Sequence, residues 1–131
     1  MDIVKFEDEN ASLEHTYYVK PFIKELSDLF NKSKGELKKY QSYLLGCLKI
    51  LENSNIRLAQ TPFELLNCDG YNLYRIKSPS KKKNVRVIYI YEYDDNGTDN
   101  IILLCAFEEK NRSDYQNNIK KAIKRIKEIG G

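Results

Sequence analysis

The sequence predicts an α+β domain in which a small antiparallel sheet carries an N-terminal helical pair on one face and a basic C-terminal helix, in the order β-α-α-β-β-β-α. Three observations predict it. Leu37, Tyr40, Leu44, Cys47, Leu48 and Leu51 recur at helical spacing. Residues 85–93 and 100–107 are dense in β-branched, aliphatic and aromatic residues and flank Asp94-Asp95-Asn96-Gly97, a strong hairpin turn signal. Tyr115, Ile119, Ala122, Ile123 and Ile126 mark one face of a last helix whose other faces are basic.

Taken in order, Ile3, Val4 and Phe6 suggest a short first strand over 2–6, and the polar stretch 7–16 reads as a loop or turn. Pro21 suits the first turn of a helix, where its missing N–H costs nothing. Phe22, Leu26, Leu29 and Phe30 extend that helix over 21–31. Ser33, with Glu36 three residues on, is a capping box opening a second helix that ends near 53–55. Residues 56–70, with Thr61-Pro62, read as irregular with one helical turn at 62–66. Strands follow at 72–77, 85–93 and 100–107. The loop 78–84 joins the first two and carries Pro79, Lys81, Lys82 and Lys83. Ser113 is placed to cap the last helix, 114–129, before Gly130-Gly131. The later strands are apolar on both faces, as strands covered by helices are.

With 131 residues and no Gly/Ser/Pro-rich linker or internal repeat, the chain reads as a single domain, 1–131. The 10 Tyr and 5 Phe argue against global disorder. The longest uncharged apolar run, 101–107, is far short of the roughly 20 residues a membrane span needs, so no membrane partner is expected. The acidic N-terminus lacks a basic-then-apolar leader and reads as mature structure, so a cytoplasmic protein is expected. Cys47, Cys68 and Cys105 form no CxxC pair and His15 is the only histidine. A zinc site and nucleophilic hydrolysis built on a histidine are therefore poor fits, and no metal or cofactor is expected. The cysteines read as reduced, mostly buried small hydrophobes.

Charge is unevenly spread. Residues 1–18 hold Lys5 against Asp2, Glu7, Asp8, Glu9 and Glu14. Residues 75–91 hold Arg75, Lys77, Lys81, Lys82, Lys83 and Arg86 and no acid at all. Residues 110–131 hold seven bases against Asp114 and Glu128. Such asymmetry points to a surface for a polyanion, nucleic acid first. Arg75 and Lys77 share a strand face, and Arg86 opens the next strand. Paired strands would bring these three cations together without a local carboxylate, and a polyanionic ligand would resolve the repulsion. Lys110 and Arg112 precede the last helix, whose free N–H groups favour an anion, and Tyr115 in its first turn could stack on a base or donate its proton.

The run Leu73-Tyr74-Arg75-Ile76-Lys77, then Val85-Arg86-Val87-Ile88-Tyr89, then Leu103-Leu104-Cys105-Ala106-Phe107-Glu108-Glu109-Lys110 and a basic amphipathic helix resembles the RelE/ParE superfamily of bacterial toxins from toxin–antitoxin pairs, closest to its HigB-like, phage-derived branch. The resemblance spans nearly the whole chain. It implies the toxin of a type II toxin–antitoxin system, a metal-independent endoribonuclease that cleaves mRNA on the ribosome and inhibits translation. Its implied partners are mRNA, the ribosome and a cognate antitoxin with a helix-turn-helix DNA-binding domain. Carried over by position, Arg86 would hold the scissile phosphate and stabilise its extra charge. Lys77 and Arg75 would orient the backbone, either one aiding proton removal from the 2′-hydroxyl. Lys110, with Arg112 nearby, would neutralise or protonate the leaving oxygen, and Tyr115 would stack on the base. Arg75, Arg112, Lys81, Lys82, Lys83, Lys120 and Lys124 would bind RNA. Cys105 stands where the pattern has histidine, and Glu109 where it has the first of two lysines. The alternatives are a ParE-like toxin acting on DNA gyrase and a degenerate antitoxin-binding or phage accessory protein.

Overall fold

The computed structural model describes residues 1–8, 11–54, 56–68, 70–78 and 83–130, with the side chains of 8, 11, 12 and 67 left aside. The elements run β1 (Ile3–Asp8), β2 (Ala11–Val19), α1 (Phe22–Leu29), α2 (Lys34–Glu52), β3 (Phe63–Cys68), β4 (Tyr71–Lys77), β5 (Val85–Tyr93), β6 (Asp99–Glu108) and α3 (Arg112–Gly130). The architecture is α+β. Its sheet is larger than the small one expected, with six strands in the order β1-β2-β6-β5-β4-β3. All neighbours are antiparallel except β2 and β6, which run parallel. No described helix is long and apolar enough to cross a membrane.

Two segments expected to be irregular are strands. Within the stretch 7–16, residues 7–8 end β1 and 11–16 belong to β2, which pairs antiparallel with it. Its buried positions, Leu13, Thr16 and Val19, fall three apart and one of them is polar, so no period-2 pattern marks the strand. Thr16 is tolerated inside because its hydroxyl donates to Glu52 Oε2 at 2.5 Å, and the Glu14 N–H donates to Glu52 Oε1 at 3.1 Å. In place of a helical turn at 62–66, β3 pairs with β4 from Phe63↔Ile76 to Cys68↔Tyr71. Glu64 breaks its apolar pattern, and it faces Arg75 in that ladder.

Helix α2 starts as expected: the Ser33 hydroxyl accepts the Glu36 N–H at 3.2 Å, and Tyr40, Leu44, Cys47, Leu48 and Leu51 are buried. Pro21 precedes α1 as its N-cap, and Phe22 and Leu26 are the residues that helix buries. The cap of α3 lies two residues earlier than Ser113. Asn111 Oδ1 accepts the Asp114 N–H at 3.1 Å, while Asp114 Oδ2 accepts the N–H groups of Lys110 and Asn111. At the β5–β6 turn, Gly97 adopts φ 77°, a left-handed conformation that favours glycine.

The N-terminal helical pair does not share one face as expected: α1 lies on the α3 side, where its Glu25 pairs with Arg125 near Cys105, and α2 lies on the other. Tyr74 lies opposite Tyr89 and stacks on it at 5.5 Å, with Tyr91 edge-on to both. This tyrosine face is covered by α2, whose Cys47 neighbours Tyr89 and whose Tyr43 hydroxyl donates to the Lys77 carbonyl at 2.7 Å. Side chains alternate along a strand, so Arg75 projects from the opposite face. There the Tyr115 ring of α3 lies 5.0 Å from the Arg75 guanidinium, and the Cys105 thiol meets the Asn118 carbonyl at 3.8 Å. Strand β6 is buried from Ile101 to Phe107. A register shift at Ile88/Tyr89 leaves Leu104 without a direct β5 partner, and its carbonyl accepts Arg125 Nη1 at 2.7 Å instead.

Candidate nucleic-acid interface

The β4–β5 register brings the predicted cations together. Lys77 lies opposite Arg86, and Arg75 is two residues along on the same face. They are not left without carboxylates, as the local sequence suggested. Glu64 Oε2 accepts from Arg75 Nε at 3.0 Å and also from its Nη2, and Glu64 Oε1 meets Lys77 Nζ at 2.5 Å. Glu109 Oε2 meets Arg86 Nε at 3.2 Å, and its Oε1 stands 3.9 Å from Arg75 Nη1. Arg75 is thus shared between two carboxylates and flanked by the Tyr115 ring. The repulsion among three cations is relieved by side chains from β3 and from the end of β6.

The arginines are the deepest members, with side-chain exposures of 14% for Arg75 and 12% for Arg86, against 35% for Lys77. Burial alone would raise the Glu64 pKa, but hydrogen bonds from Lys77 and Arg75 outweigh it and hold the carboxyl below the ordinary glutamate range. Burial raises the Tyr115 pKa against the lowering effect of Arg75, so the phenol stays protonated at neutral pH.

Other predicted residues fall elsewhere. Lys110 is exposed and pairs with Glu108 at 3.9 Å. Arg112 is exposed at the start of α3. Of the N–H groups at that helix start, the one of Asp114 is met by Asn111 Oδ1, and the Asp114 carboxylate stands beside the start, taking the N–H groups of Lys110 and Asn111 just before it. Lys83 folds back onto α1, where its ammonium donates to the Leu29 carbonyl and lies 4.9 Å from the Phe30 ring. That contact takes Lys83 out of any free basic loop. Lys81 and Lys82 lie outside the described residues. Lys120 and Lys124 are exposed one turn apart on α3.

Cys105, in the histidine position of the pattern, is fully buried, and burial pushes its thiol up to about 12. Neither its placement nor its acidity suits proton transfer to RNA. Cys47 and Cys105 are buried and free, and Cys68 is free and half-buried.

Sequence reasoning missed Glu64 as a partner of Arg75, and missed the ion pair of Arg125 with Glu25. A cavity of about 300 Å³ opens beside Tyr91 at the other end of β5, lined by His15, Glu52, Arg57, Tyr93 and Asp99. Its carboxylates are engaged: Asp99 holds Arg57 at 2.8 and 2.7 Å, and Glu52 holds Thr16. Among the described residues no group of three His, Cys, Asp or Glu side chains is placed to hold a metal ion.

The fold and site define an α+β protein with a preassembled cation cluster on one sheet face. Compared with known proteins, the chain matches no family model, no curated protein and no solved structure.

Proposed function

We propose that this chain is a RelE/ParE-like toxin of a type II toxin–antitoxin system, acting as a metal-independent endoribonuclease on ribosome-bound mRNA. The observation that carries the reading is the convergence of Arg75, Lys77 and Arg86 on one face beside the Tyr115 ring. A cation cluster with an adjacent aromatic suits a phosphodiester and its base. In this reading the 2′-hydroxyl gives up its proton to solvent water and attacks the adjacent phosphate. The bond from phosphorus to the 5′ oxygen breaks to leave a 2′,3′-cyclic phosphate, and Arg86 stabilises the extra charge on the phosphorane oxygens. Arg75 and Lys77 hold the flanking backbone, and Tyr115 supplies a stacking surface. Lys110, exposed on the connector before α3, leaves its 3.9 Å pairing with Glu108 to neutralise or protonate the leaving oxygen. Arg112, Lys120 and Lys124 extend the basic track for the RNA or for an antitoxin bearing carboxylates.

Purified protein added to a translation extract is expected to halt synthesis, and Arg86→Ala is expected to restore it. Undiminished synthesis at saturating protein would overturn the nuclease reading. A second reading, a catalytically degenerate antitoxin-binding protein, is favoured by the burial of Cys105 and by Glu109 pairing with Arg86. It predicts no effect on translation together with tight capture of the antitoxin. A ParE-like toxin would spare translation and block gyrase supercoiling in the parallel assay.

A further inference from the structure

The two carboxylates in the cluster are held unequally. Glu64 sits within the β3–β4 ladder, takes Arg75 through two nitrogens and binds Lys77 at 2.5 Å. Glu109 lies past the end of β6, with one contact to Arg86 at 3.2 Å and a distant one to Arg75 at 3.9 Å. Its backbone is fixed, because its N–H donates to the Asn84 carbonyl at 2.8 Å. Only the side chain has to turn for the carboxylate to leave. The cations therefore form two adjacent anion positions that share Arg75, one filled tightly and one loosely.

We propose that Glu109 is an internal occupant of a phosphate position: it holds Arg86 and Arg75 in place until a phosphate displaces it, while Glu64 stays and aims Arg75 and Lys77. The geometry is independent of the nuclease reading, but naming RNA phosphodiesters as the displacing ligand rests on it. A tethered competitor lowers apparent affinity by the fraction of time the position is open. Ligands carrying adjacent phosphates engage both Arg86 and the shared Arg75, so they displace Glu109 where a lone weak anion does not. The site is selective for a polyphosphate or phosphodiester chain by this means.

The test compares the parent chain with Glu109→Gln, Glu108→Gln and Glu64→Gln. Glu108→Gln makes the same change in net charge one residue away, on a side chain whose ion-pair partner is Lys110. Binding is measured to a fluorescent single-stranded RNA oligonucleotide and, separately, to inorganic pyrophosphate, with thermal midpoints to confirm folding. Glu109→Gln is expected to bind both probes about tenfold tighter, the scale of one charge-assisted contact relieved. Glu108→Gln is expected to stay within about twofold and Glu64→Gln to gain nothing. Equal gains for Glu109→Gln and Glu108→Gln would reduce the effect to net charge and overturn the proposal. A gain for Glu64→Gln matching that of Glu109→Gln would overturn the unequal roles. Tighter pyrophosphate with no RNA binding by any variant would keep the displaceable carboxylate and remove RNA as its ligand. Parent binding to RNA that Arg86→Ala abolishes, with no gain in Glu109→Gln for either probe, would leave RNA and remove the displacement.

Discussion

Arg125 and Glu25, a hundred residues apart in sequence, form a two-pronged ion pair at 2.8 and 2.6 Å that ties α3 to α1. The same guanidinium donates to the Leu104 carbonyl left open by the β6 bulge. Arg125 is 9% exposed, so removing it leaves the Leu104 carbonyl buried without its donor and the half-buried Glu25 carboxylate with Lys121 alone, at 3.5 Å. Arg125→Ala is expected to lose about 3 kcal/mol of unfolding free energy. Urea denaturation measures it, and a change near zero would mean that α3 is held by its apolar face alone.

The α2 stripe makes a second stability prediction. Leu48 is fully buried between helix and sheet, so Leu48→Ala removes buried methyl groups and leaves a void. A cost of about 2–5 kcal/mol is expected. Ile50, on the same helix and 55% exposed, is the internal contrast: Ile50→Ala is expected to change stability by less than about 0.5 kcal/mol. Similar losses at both positions would place the helix face differently.

The pH dependence follows from Glu64. Its carboxyl is held below the ordinary glutamate range in the fold by Lys77 and Arg75, against the opposing push of burial. A depressed folded pKa adds stability that is fully present above the unfolded value and drains away as pH falls through the folded one. Glu64→Gln is therefore expected to be less stable than the parent at neutral pH, with the gap closing between about pH 5 and pH 3. A gap that stays constant with pH would place the Glu64 contribution in packing, not in charge.

Much of this architecture is legible in the residues themselves. Ser33 and Glu36 mark the start of α2, and Val85 to Tyr93 reads as a strand over the span it occupies. Arg75, Lys77 and Arg86 could be brought together because strand alternation and hairpin pairing are local rules. Glu64 could not, because its segment lacks a strand pattern and its pairing depends on the sheet around it. Strand β2 is hidden by a buried threonine whose partner, Glu52, arrives from the end of α2. The Glu25–Arg125 pair has no local signature at all, since only the packing of α1 and α3 beside β6 makes it.

The central claim, that the Arg86 cluster handles an RNA phosphodiester, is tested most directly by mapping cleavage of a defined mRNA on programmed ribosomes by primer extension. The parent chain is expected to produce discrete cuts within the ribosome-bound message. Arg86→Ala, at equal soluble concentration and with an unchanged thermal midpoint, is expected to cut about 10²–10³ times more slowly. Intact message with the parent chain, or equal cutting by parent and Arg86→Ala, would contradict the account.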